Sequence, residues 1–120
     1  MEDLKLGAVE ARFADIIWDN EPLSSGSLVK LCERQLEWKK STTYTVLKRL
    51  CERGIFRNEN GMVSSVMTKA EYSAAQSEKF VEETFDGSLP AFLAAFSTRK
   101  KLTKEEIEEI KRMIDSYGKE

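Results

Sequence analysis

The stretch Lys39-Lys40-Ser41-Thr42-Thr43-Tyr44-Thr45-Val46-Leu47-Lys48-Arg49-Leu50-Cys51-Glu52-Arg53-Gly54 decides the fold. At 100° per residue, Thr43, Val46, Leu47 and Leu50 gather on one side of a helix. Ser41, Thr42, Thr45, Lys48 and Arg49 fall on the other, with Tyr44 between the two faces. A helix is expected from about Lys40 to Glu52, with Gly54 suited to the position just past its end. Taken singly, these residues have ordinary readings: hydroxyls near a helix start are caps, and bases opposite an apolar face are common surface. Together they suit double-stranded DNA. Small hydroxyls let a helix approach base edges, arginine can fork onto guanine, and threonine methyls can touch thymine methyls. Lys39 and Lys40, at the helix N-terminus, and the helix end itself suit phosphates.

Working outward, two further helices are expected upstream. Val9, Phe13, Ile16 and Ile17 recur at helical spacing between Gly7 and Trp18, and Asn20-Glu21-Pro22 stops that helix. Ser24 is a good N-cap for a short second helix reaching about Arg34, with Leu28, Leu31 and Cys32 inward. Leu36-Glu37-Trp38 reads as a turn with an aromatic anchor. Downstream, Ile55–Glu59 and Met62–Met67 flank Asn60-Gly61, a strong two-residue hairpin signal because both residues tolerate positive φ. Three helices followed by a hairpin is the order of a winged helix-turn-helix, in which the third helix enters the major groove and the hairpin lies along the backbone. Arg57, just before the turn, is placed to reach phosphate; Asn60 serves the turn.

Charge is laid out unevenly. The net charge is −2, yet residues 38–57 carry Lys39, Lys40, Lys48, Arg49, Arg53 and Arg57 against Glu52 alone. A basic segment in a mildly acidic chain is an electrostatic footprint for a polyanion. Among 120 residues there is no histidine, which removes histidine-based triads and histidine zinc sites. Cys32 and Cys51 are too few for a disulfide scaffold and are expected on inward helix faces, so neither a cofactor nor an enzyme activity is expected. No apolar run is long enough to cross a bilayer and no signal peptide opens the chain, so a cytoplasmic protein without membrane insertion is expected.

The second half reads as helical again. Thr68-Lys69-Ala70-Glu71 has capping-box spacing and begins a helix to about Phe85. Gly87 breaks it, Ser88 caps another, and Thr103-Lys104-Glu105-Glu106 repeats the box before a last helix. The expected fold class is mainly α with a small β-hairpin: a winged-helix domain over 1–67 and a helical dimerisation domain over 68–120. Phe80, Phe85, Leu89, Phe92, Leu93, Phe96, Ile107, Ile110 and Ile114 form apolar faces with little in one chain to cover them. A unit this small usually needs a partner, so a homodimer is expected; the alternative is that these faces fold back on the first domain.

These features resemble the penicillinase repressor family of winged-helix repressors. The resemblance is carried by Glu10 and Ile16-Ile17-Trp18, Pro22-Leu23-Ser24, Trp38, the run from Ser41 to Leu50, Gly54, Gly87-Ser88-Leu89, Ala95-Phe96 and Leu102-Thr103. It implies a homodimer on a palindromic operator, of the kind that controls β-lactam resistance. It also implies derepression through cleavage by a membrane sensor peptidase, at a bond matching Ala95-Phe96. The chain departs from the family pattern in Ala95 for asparagine, Lys39-Lys40 for Ser-Pro and Met62 for a common arginine. It lacks the terminal cysteine cluster of a copper-responsive branch. A winged helix that binds protein instead of DNA is the alternative function, for which apolar or acidic residues would be expected around Thr42, Thr45 and Arg49.

Overall fold

A computed structural model describes residues 5–118. The chain divides into two compact units, one up to Gln76 and one from Ser77 onward, with the division inside a helix.

In the first unit, α1 (Ala8–Asn20), α2 (Ser25–Leu36) and α3 (Lys40–Glu52) pack against a small antiparallel sheet. The sheet is β1 (Leu23–Ser24), β2 (Phe56–Glu59) and β3 (Met62–Ser65), in the order β1-β3-β2. Phe13, Ile17, Leu28, Leu47, Leu50, Ile55, Phe56 and Val63 are fully buried. At about 1.5–3 kcal/mol for each buried side chain of this size, this cluster is the main favourable term holding the unit together.

Local chemistry sets the boundaries. Ser24 Oγ accepts from the Ser27 amide and starts α2. Glu37 takes φ 56 and its amide donates to the Cys32 carbonyl, which ends α2 and leaves a three-residue turn to α3. Asn60 and Gly61 both adopt positive φ, 54° and 80°, as a type I′ hairpin turn requires. Strand pairing runs Phe56 to Ser65, Arg57 to Ser64, Asn58 to Val63 and Glu59 to Met62.

Several expectations are corrected. β1 was not expected; Leu23 and Ser24 pair with Val63 and Met62, making the sheet three-stranded. Val9 was expected inward but is 51% exposed, because the α1 surface that meets the core is set by Phe13, Ala14, Ile16 and Ile17. α2 runs two residues past Arg34, since Leu36 packs on the core from within the helix. Ile55, Val66 and Met67 lie outside the strands, and the Ile55 carbonyl accepts from both the Val66 and Met67 amides. Cys51 is half-buried, whereas Cys32 is fully buried as expected.

The second unit holds the end of α4 (Lys69–Phe85), then α5 (Leu89–Arg99) and α6 (Lys104–Tyr117). The capping boxes form as expected at Thr68–Glu71 and Thr103–Glu106. Ser88 caps α5 through the Ala91 amide.

Candidate nucleic-acid interface

α3 separates its two faces cleanly. Thr43, Val46, Leu47 and Leu50 are buried, while Lys40, Ser41, Thr42, Tyr44, Thr45, Lys48 and Arg49 are exposed. The sorting residue is Thr43, whose hydroxyl donates to the Lys39 carbonyl at 3.3 Å, so a polar group is buried without losing its hydrogen bond. Thr45 Oγ1 donates to the Ser41 carbonyl at 2.9 Å. Its proton is therefore used within the helix, and Thr45 can offer a base edge its methyl group and its oxygen lone pairs.

The start of α3 is electropositive by construction. Lys39 stands at the N-cap with extended backbone and no side-chain cap, and the first turn holds no acid. α6 shows the contrast, with a Thr103 cap and Glu105 and Glu106 in its first turn. The uncapped amides of α3 together with Lys39 and Lys40 are suited to a phosphate.

Two flanks bound the exposed face. On the wing side, Tyr44, Leu47, Lys48, Cys51 and Asn58 line a groove between α3 and β2. Tyr44 Oη donates to Ser25 Oγ at 3.1 Å, and the Ser25 amide donates to the Gly61 carbonyl at 2.8 Å. These bonds tie α3, the start of α2 and the wing tip together. On the other flank, Arg49 Nη1 donates to Glu10 Oε2 of α1 at 3.1 Å. In the wing, Arg57 is exposed and pairs with Glu59 at 3.4 Å. Sequence reasoning missed three partners here: Glu10, Glu59 and Ser25. An Arg-x-Glu alternation on one strand face could have signalled Glu59; the others are joined only by packing.

Burial pushes both cysteine thiols up, Cys32 and Cys51 alike, which disfavours the thiolate form. Among the described residues no three His, Cys, Asp or Glu side chains come together to hold a metal. No helix among them is long and apolar enough to cross a membrane.

The second unit exposes its apolar side chains. Phe80, Phe85 and Phe92 meet edge to face with centroids 5.7–6.0 Å apart, and Phe96 adds to Phe92 at 6.0 Å. Yet no residue of α4, α5 or α6 is buried. Leu89, Phe96, Ile107 and Ile114 are exposed, and Leu93 and Ile110 are half-buried. Ala95 and Phe96 lie within α5, where the Ala95 carbonyl accepts from Thr98 Oγ1 at 2.7 Å.

Three packed helices, the third exposed beside an antiparallel hairpin, define a winged helix-turn-helix protein. The penicillinase repressor family matches residues 6–116, and the chain belongs to that family of transcriptional repressors. It is 20% identical over 117 residues to the penicillinase repressor of Bacillus licheniformis, an alignment covering 94% of this chain and 91% of that one.

Proposed function

We propose that this chain is a sequence-specific repressor that binds a palindromic operator in double-stranded DNA as a homodimer. The observation that carries this reading is the α3 face of Ser41, Thr42, Thr45, Lys48 and Arg49, all exposed opposite a fully packed face. Thr42, Thr45 and Arg49 read base edges. Lys39, Lys40, Ser41, Lys48 and Arg57 hold phosphates.

The dimer forms through the uncovered apolar faces of α4, α5 and α6, and its symmetry matches that of the operator. Linking two half-site contacts multiplies affinity by roughly 10²–10⁴, so splitting the dimer releases DNA without any ligand pocket. Cleavage at Ala95–Phe96 by a membrane sensor peptidase is one route to that split. It requires the end of α5 to unwind first, because peptidases generally read extended backbone.

The test is a gel-shift titration on the DNA upstream of the protein's own gene, with random DNA as competitor, at two salt concentrations. Specific, salt-sensitive binding with a dimer-sized shift supports the reading. No binding, or equal binding to random DNA, overturns it for that operator and favours a protein-binding winged helix.

A further inference from the structure

Glu10 belongs to α1, yet its carboxylate engages the reading helix. Oε2 accepts from Arg49 Nη1 at 3.1 Å. Oε1 accepts from the Gly7 amide at 3.2 Å and faces Arg53 Nη1 at 3.8 Å. Arg53 is itself anchored, donating from Nη2 to the Lys5 carbonyl at 3.0 Å. Its side chain is 17% exposed, against 53% for Arg49. The carboxylate is thus held from behind by the start of α1 and a mostly buried arginine. From its front it holds a half-exposed arginine at the edge of the exposed α3 face.

This arrangement does more than join two helices. An ion pair with a half-exposed arginine adds little to fold stability. An unrestrained arginine on a DNA-facing surface samples many rotamers and attracts any phosphate within reach. Restraint by a fixed carboxylate narrows those directions, and the neighbouring negative charge weakens the general attraction. A directed contact discriminates between bases; an undirected charge does not.

We infer that Glu10 is a positioning residue for sequence reading: it holds the Arg49 guanidinium at the α1 flank of the α3 face and offsets part of its charge. Arg49 thereby contributes more to discrimination between sequences than to general affinity for DNA. This rests on the DNA-reading function proposed above.

The test compares wild type, Glu10→Gln, Arg49→Ala and the double variant, each titrated against operator and random duplex across a salt series. Glutamine can still accept from the Gly7 amide, as it does at this place in capping boxes, so Glu10→Gln removes the charge and spares the helix start. Glu10→Gln is expected to bind random DNA several-fold more tightly and to steepen the salt slope by about one. The operator-to-random ratio falls about tenfold. With Arg49→Ala already present, Glu10→Gln leaves the ratio unchanged. An unchanged ratio in Glu10→Gln, with only a lower melting temperature, overturns the inference and leaves a clamp between α1 and α3. An equal loss of ratio in both backgrounds also overturns it. If wild type discriminates and Glu10→Gln discriminates equally, this inference alone fails; if wild type does not discriminate, the reading beneath it fails as well.

Discussion

Trp38 stacks on Phe13 with ring centroids 5.4 Å apart and planes 27° apart. Phe13 is completely buried on α1, and Trp38 lies in the turn between α2 and α3. The stack fastens that turn to the core one residue before the Lys39 cap, so it fixes where α3 begins.

Trp38→Ala therefore lowers stability by about 2–4 kcal/mol, toward the lower end of the range for core aromatics because Trp38 is only half-buried. Trp38→Phe keeps a ring for the stack and costs about 1 kcal/mol. Urea unfolding at fixed protein concentration measures both. Equal losses would show that the stack itself is not what matters.

Gly61→Ala costs about 1–2 kcal/mol through backbone strain alone. Gly61 has φ 80, and an added Cβ would meet its nearest atom, Ser25 Oγ, at 3.9 Å, an ordinary contact. The penalty shows as a lower melting temperature together with faster amide exchange in β2 and β3. Faster exchange spread evenly through the first unit would contradict a local effect.

The two kinds of DNA contact proposed for α3 are expected to separate by salt. Lys40→Ala weakens binding to operator and random duplex alike and flattens the salt slope by about 0.9. Arg49→Ala costs about 1–3 kcal/mol on the operator and relaxes preference at one base pair. Titrations on single-base operator variants distinguish these outcomes, and identical profiles would refute the division of roles.

Leu89→Asp and Ile114→Asp are expected to split the dimer proposed above without unfolding the chain. Both side chains are well exposed within one chain, at 61% and 59%, so a charge there disturbs little else. Sedimentation velocity is expected to show monomer with helix content unchanged by circular dichroism. Operator affinity falls roughly 10²–10⁴-fold. Persistent dimers would place the interface elsewhere.

Glu10 gives a pH signature. The Gly7 amide foremost, and then Arg49 and Arg53, hold its carboxyl below the usual carboxylate value of 4.5. A depressed folded-state pKa contributes stability that is present above the unfolded value and disappears as pH falls through the folded one. The stability difference between wild type and Glu10→Gln is thus full at pH 7 and shrinks below about pH 4.5. A gap that stays constant down to pH 3 would mean that the charge is not its source.

Much of this molecule is written in short-range pattern. The two faces of α3 follow from spacing, because a helix that buries Val46, Leu47 and Leu50 must turn Ser41, Thr45 and Lys48 outward. Asn60-Gly61 specifies its turn because few residues accept positive φ at both places. The boxes at Thr68 and Thr103 satisfy their own helix ends within four residues.

Tertiary structure decided what depends on separation along the chain. Two residues carry no period, so β1 exists only because β3 lies beside it. Val9 shares a helical face with Phe13, but packing chose how far that face extends, and Val9 fell outside it. Arg49 meets Glu10 across 39 positions, and Tyr44 meets Ser25 across 19. Periodicity reports which side of a helix is apolar; it holds no information on which neighbour that side, or its opposite, will meet. The partners of the α3 face were therefore set by how α1, α2 and the wing close around one core.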